Sequence, residues 1–163
     1  MEQLWAPWRM SYVSSINQES SQCIFCLAAQ TGRSSEKLVL DASEHVVVLM
    51  NRFPYTNGHL MVAPRLHTAD MDVLTDDIWL EMMSAVRRCR RLLEEYARPH
   101  GFNIGINLGK CAGAGIDDHL HIHIVPRWNS DSNFMTVTGN TRVIPEELQT
   151  TYMRLLTLMD QGL

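Results

Sequence analysis

The sequence predicts an α+β domain with an antiparallel sheet of about five strands, one long helix and a C-terminal helix. Three features point there. Short aliphatic and β-branched runs bounded by turn-forming residues recur on either side of a single long segment of helical period. Residues 119–125 alternate as His-Leu-His-Ile-His-Ile-Val, the period of a strand. The 163 residues are ordinary in composition, 45% hydrophobic and 20% charged, with no internal repeat, linker or low-complexity tract, so one domain is expected.

In chain order, residues 1–13 hold Trp5 and Trp8 around Pro7, an arm expected to pack on the body or on a partner subunit. Cys23-Ile-Phe-Cys26 follows, then a polar stretch from Gln30 to Lys37. Leu38–Leu40 and His45–Leu49 read as strands separated by Asp-Ala-Ser-Glu. Residues 51–58 are rich in breakers and form a loop, after which His59–Ala63 is the next strand. The long helix runs from about Asp76 to Arg98. Thr75 is its N-cap and Asp76 and Asp77 complement its positive end. Ile78, Met82, Val86, Cys89, Leu93 and Tyr96 make the buried stripe, and Pro99 with Gly101 stops the helix. Phe102–Asn107 returns as a strand, and the histidine strand ends at Pro126. Phe134–Thr138 is a short strand candidate. A last helix starts at Pro145-Glu146-Glu147 and buries Leu148, Tyr152, Leu155 and Met159.

The formal net charge is −4, with no visible excess of Lys and Arg, which argues against a nucleic-acid partner. No apolar run reaches the ~20 residues needed to cross a bilayer, and the start lacks the pattern of a signal peptide. Cys23, Cys26, Cys89 and Cys111 are too few for a disulfide scaffold in a chain of this length. Reduced thiols and a cytoplasmic location are expected.

In a strand, His119, His121 and His123 line one face while Leu120, Ile122 and Ile124 bury the other, with neighbouring imidazoles about 6.5 Å apart. Three readings are open: satisfied, partly buried rings; a catalytic metal site; or nucleophilic catalysis by a neutral imidazole. Regular strand spacing puts the outer rings about 13 Å apart, too far for one ion with bonds near 2.1 Å to hold both. Just upstream, Gly105-Ile-Asn-Leu-Gly109-Lys-Cys-Ala-Gly113-Ala-Gly115 places four of the nine glycines within eleven residues. Beside the histidines, with Asn107 and Lys110, that loop is a candidate phosphate cradle.

His119-Leu-His121-Ile-His123-Ile-Val125 resembles the motif of the histidine triad (HIT) family. Asn51–His59, with Pro64 and His67 after it, is similar to that family's nucleotide-pocket segment. Asn107 and the glycine loop sit where the family places its phosphate-binding turn. The similarity spans about residues 20–128. The Leu4-Trp-Ala-Pro-Trp-Arg9 start and the Val125-Pro-Arg-Trp128 ending resemble the diadenosine tetraphosphate phosphorylase and hydrolase branch. The resemblance implies a HIT-like fold over 1–163, with 1–19 an N-terminal arm and 129–163 a C-terminal extension, commonly a homodimer.

It also implies roles. His121 attacks the α-phosphate of a nucleotide or dinucleoside polyphosphate, giving a nucleotidyl-histidine intermediate. His123 donates hydrogen bonds to phosphoryl oxygens, and His59 contacts either the surroundings of the nucleophile or the phosphate chain. Asn107 and the N–H groups of Gly113, Ala114, Gly115 and Ile116 spread the developing charge. Asn51 bonds the ribose, while Leu49 and Phe53 form the apolar slot for the base. Attack requires a neutral ring, so activity is expected to fall well below a pKa of about 6.5. The acceptor is water or inorganic phosphate, and the small Ala114-Gly115 pair favours phosphate. Cys23 and Cys26 are half of a zinc site. The family implies His67 and His119 as the other ligands, closing a structural zinc with no organic cofactor. Alternatives are a nucleoside phosphoramidase of the same family and a non-catalytic zinc-stabilised nucleotide-binding protein.

Overall fold

In the computed structural model, residues 22–129, 131 and 145–162 are described. The Trp-rich arm and the strand candidate at 134–138 lie outside them. The elements are α1 (Ile24–Thr31), β1 (Val39–Ala42), β2 (Val46–Met50), β3 (Leu60–Pro64), α2 (Asp76–Ala97), β4 (Gly101–Ile106), β5 (Ile122–Arg127) and α3 (Leu148–Asp160). Single 3₁₀ turns occur at Met71–Val73 and Lys110–Ala112. The sheet order is β1-β2-β3-β5-β4, every neighbouring pair antiparallel.

β2 and β3 are buried along their whole length because both faces of the sheet are covered. On one face Val48, Val62 and Ile122 stand in a row across three strands and pack with Met82, Val86, Leu93, Tyr152 and Leu155 of α2 and α3. On the other face Leu49 pairs with Met61, and Met61 with His123. That row carries the site. Its apolar end packs under Phe25 and Ala28 of α1.

The long helix follows the sequence closely. Thr75 Oγ1 accepts from the Ile78 N–H at 3.4 Å, and Met82, Ala85, Val86, Cys89, Leu92, Leu93 and Tyr96 are buried. It ends on Arg98, in the left-handed region at φ 45° with its N–H on the Glu94 carbonyl, one residue before Pro99. α3 starts at Leu148 and buries Thr151, Tyr152 and Leu155. The Tyr152 hydroxyl donates to the Val39 carbonyl at 2.9 Å.

Most strand and helix ends lie within about three residues of the sequence reading, the last helix starting at Leu148 and not at Pro145; two differences matter for the site. Regular β5 starts only at Ile122 and continues through Pro126 to Arg127. His119 and His121 therefore lie in the segment leading into the strand. Pro126 is tolerated because β3 pairs β5 only as far as Ile124, so Pro126 interrupts no ladder on that side. The Pro126 carbonyl instead accepts from Thr56 Oγ1 at 2.8 Å. The second difference is α1. Residues 24–31 are helical, with Phe25, Ala28 and Ala29 buried at i, i+3 and i+4, the spacing of one helix face.

Candidate active site and metal centre

β5 and its lead-in bring His121 and His123 into contact, ring centroids 4.7 Å apart and nearly perpendicular. The hydrogen bonds of each ring fix where its proton sits. His121 Nδ1 lies 2.9 Å from the His119 carbonyl. A carbonyl only accepts, so Nδ1 carries the hydrogen and Nε2 keeps its lone pair. Burial beneath the tilted Phe25 ring, 4.7 Å away, lowers the pKa of His121 below its ordinary value, partly opposed by that bond to the carbonyl. The ring is neutral at neutral pH.

His123 takes the opposite form. The Tyr55 N–H donates to His59 Nδ1 at 3.2 Å, and Asn51 Nδ2 meets the same nitrogen at 3.3 Å. A backbone N–H cannot accept, so His59 holds its proton on Nε2 and donates it to His123 Nδ1 at 3.0 Å. The proton of neutral His123 therefore sits on Nε2. A lone pair on one ring stands beside an N–H on the next. His59 is fully buried behind His123, under Tyr55.

Four ligand atoms converge at the other end of the triad. Those of Cys23, Cys26, His67 and His119 all lie within 4.8 Å of one another. His119 Nδ1 is 3.2 Å from Cys23 Sγ, 3.7 Å from Cys26 Sγ and 3.1 Å from His67 Nδ1, and Cys26 Sγ is 3.3 Å from His67 Nδ1. A tetrahedral zinc with bonds of about 2.0–2.3 Å needs edges of about 3.3–3.8 Å, close to these four separations, so small shifts of the side chains would seat the ion. Its orientation is also right. His119 Nε2 donates to the Pro64 carbonyl at 2.8 Å, which aims the Nδ1 lone pair inward, and Asp118 lies 3.7 Å from His67 Nε2. Burial pushes the bare Cys23 thiol up to about 11, and a bound cation would draw off that proton.

The remaining expected residues are distributed as follows. Leu49 is buried in a second core cluster, formed with Met61, Phe25 and Ala28 on the α1 face of the sheet, whereas Phe53 is 51% exposed. Asn51 Oδ1 accepts from the Phe53 N–H at 2.9 Å, so the carboxamide braces its own loop. Asn107 directly follows β4. Ile106, just before it, pairs with Ile122, just after His121, where the ladder ends. In the glycine loop, the N–H of Gly113 bonds the Lys110 carbonyl and that of Ala114 the Gly109 carbonyl, closing a turn with Gly113 at φ 92°. Ile116 packs on the second core cluster.

Sequence patterns gave no role to Phe25 or Asp118, and placed Tyr55 and Pro64 only within the segment that resembles the nucleotide pocket. Phe25 had a readable signal, an aromatic between two ligand cysteines one helical turn apart. Tyr55 and Pro64 act through backbone atoms, which side-chain patterns do not report.

Comparison with known proteins identifies the class. The family profile described as "HIT domain" matches residues 32–130. The chain belongs to the histidine triad family. Among its relatives is a protein of Mycobacterium tuberculosis named AP-4-A phosphorylase, 36% identical, covering 96% of this chain and 84% of the relative. Another is the adenosine 5'-monophosphoramidase hnt1 of Schizosaccharomyces pombe, 26% identical over 78% of this chain and 90% of the relative. A solved zinc-bound histidine triad family protein from Mycobacterium smegmatis superposes with a TM-score of 0.69 at 27% identity, covering 88% of this chain and 96% of that one.

Proposed function

We propose that this protein cleaves dinucleoside polyphosphates, with diadenosine tetraphosphate as the type substrate, and passes the nucleotidyl group through His121 to inorganic phosphate. The observation that carries this reading is the pair of opposite tautomers at 4.7 Å ring separation. His121 Nε2 forms a bond to the α-phosphorus while the bond from that phosphorus to the bridging oxygen breaks, and the oxygen leaves with the polyphosphate. The Nε2–H of His123 bonds a phosphoryl oxygen as charge builds there. Asn107 and the N–H groups of Gly115 and Ile116 complete the cradle, since those of Gly113 and Ala114 serve the loop. Asn51 and Phe53 border the nucleoside, over a floor that includes Leu49.

In the second step an acceptor oxygen attacks the phosphorus and the bond to Nε2 breaks. The phosphorylase name of the relative that matches nearly the whole chain, together with the small Ala114-Gly115 pair, favours phosphate over water. The phosphoramidase match is weaker in both identity and coverage. Product analysis tests the proposal. Diadenosine tetraphosphate with phosphate should give ADP plus ATP. AMP plus ATP would mean that water is the acceptor, and no mononucleotide at all would leave only a binding protein.

Zinc is the metal we assign to Cys23, Cys26, His67 and His119. It has four protein ligands and no open position, and is therefore structural. The zinc-bound relative supports this assignment. Among the described residues no helix is long and apolar enough to cross a membrane; none of the four cysteines forms a disulfide, which favours a reducing, cytoplasmic setting. A homodimer fits the outer edge of the sheet. β4 presents Asn103, Ile104 and Gly105 to solvent, with Ile104 44% exposed, a strand edge that a second copy would cover. Light scattering should give a dimer mass that Ile104→Arg halves. A wild-type monomer at micromolar concentration would overturn this assembly.

A further inference from the structure

The C-terminal helix lies outside the 32–130 span of the family match, so the match gives it no task. Its first turn is nevertheless wired toward the catalytic rings. Glu146, just ahead of α3, accepts from Tyr96 Oη at 2.5 Å and from Thr151 Oγ1 at 2.7 Å on one oxygen, and from Arg154 at 2.6 Å on the other. Burial pushes its carboxyl upward, but those donors outweigh burial and hold it below its ordinary value. The Tyr96 hydroxyl in turn accepts from Asn57 Nδ2 at 2.7 Å, and Thr151, itself fully buried, lies 3.1 Å from Asn57 Oδ1.

Asn57 is two residues from His59. Between them Gly58 sits at φ 78°, where an added Cβ would come within 2.9 Å of Leu93 Cδ2, so the turn has one path against α2. Thr56 is tied to β5 through the Pro126 carbonyl. Both ends of the turn are thus pinned, one to β5 and one to the α2–α3 junction. What the turn delivers is His59 Nε2–H, 3.0 Å from His123 Nδ1.

We infer that Glu146 is a positioning residue for catalysis: through Tyr96 and Asn57 it fixes the loop that presents His59 to His123, and so helps set which nitrogen of His123 carries the proton. The inference rests on the catalytic reading above. The carboxylate is specifically required. Both oxygens face donors, and an amide would turn its NH₂ toward one of them. A shifted turn would lengthen the His59–His123 bond and let His123 place its proton on Nδ1, which removes the donor aimed at the phosphoryl group.

Glu146→Gln and Tyr96→Phe test this by steady-state kinetics and by ¹⁵N NMR of the histidine rings in the substrate-free protein. Each should lower kcat about tenfold, the rate equivalent of one net hydrogen bond, with KM within about twofold. The ring signals of His59 and His123 should move from one tautomer toward a mixture, while those of His121 hold. In a His59→Ala background neither substitution should lower kcat further, because the path already ends there. Folded variants with wild-type kcat and unchanged ring signals would overturn the inference. Losses that multiply with His59→Ala would do so too, because they mark a general loss of structure. If the wild type shows no turnover, the functional proposal fails, and the ring spectra still decide this one.

Discussion

His121→Ala should abolish turnover of diadenosine tetraphosphate while the folded protein still binds nucleotide. In the proposed mechanism this side chain supplies the attacking atom, and no neighbouring ring is arranged to replace it. His123 holds its proton on Nε2, and His119 points its lone pair at the cysteines. Removing a nucleophile that defines the pathway typically costs at least about 10⁴-fold in kcat. Losing a single charge-stabilising donor, as in His123→Ala, costs on the order of 10²–10³-fold. The two variants should therefore differ in kind as well as in size. Rapid quenching of the wild type with radiolabelled substrate should leave nucleotide covalently on residue 121, and His123→Ala should form the same adduct more slowly. His121→Ala should form none. Retention of more than about one percent of wild-type kcat in His121→Ala would be incompatible with the mechanism. Equilibrium binding measured alongside separates lost chemistry from a collapsed pocket, since the imidazole is packed against Phe25 and its removal opens a cavity.

The sequence made the sheet, the long helix and the clustering of the histidines legible because each rests on a local period. Thr75 as N-cap, the α2 stripe and the aliphatic partners of β5 all follow from side chains that repeat on one face. What stayed hidden depends on contacts distant in sequence. The strand period alone assigns His119, His121 and His123 one common task. In the folded chain, His119 turns to Cys23 and Cys26, 96 and 93 residues away, His123 Nδ1 accepts a hydrogen bond from His59, and only His121 keeps its Nε2 lone pair at the site. The division of labour is set by three acceptors or donors, the Pro64 and His119 carbonyls and the Tyr55 N–H. All three are backbone atoms, to which side-chain identity is blind. In a regular strand the outer two rings would stand too far apart for one ion to bridge them. The structure instead shows a lead-in at 119–121, with a cluster that includes only the first histidine.

Cys23→Ser, or removal of metal by a chelator, should lower the melting temperature by roughly 10 °C. Losing a structural zinc removes several kcal/mol of folding free energy, and each kcal/mol shifts Tm by about 2–4 °C in a chain of this size. The effect on chemistry should be smaller and indirect. With four protein ligands, a bound zinc would have no position for a substrate oxygen and would take no part in phosphoryl transfer. What it holds is local structure. A bound zinc would fix α1, which presents Phe25 to His121, and would fix His119, whose carbonyl accepts the hydrogen bond from His121 Nδ1. Metal-depleted protein should retain most of its kcat at low temperature and lose activity on warming in step with its unfolding curve. Metal analysis of Cys23→Ser should show a much reduced zinc content. Immediate and complete loss of turnover at low temperature, with native circular dichroism and recovery on adding zinc, would instead make the ion catalytic. The distinction is sharp because the two roles fail along different coordinates, one with temperature and the other with metal occupancy in a protein that is still folded.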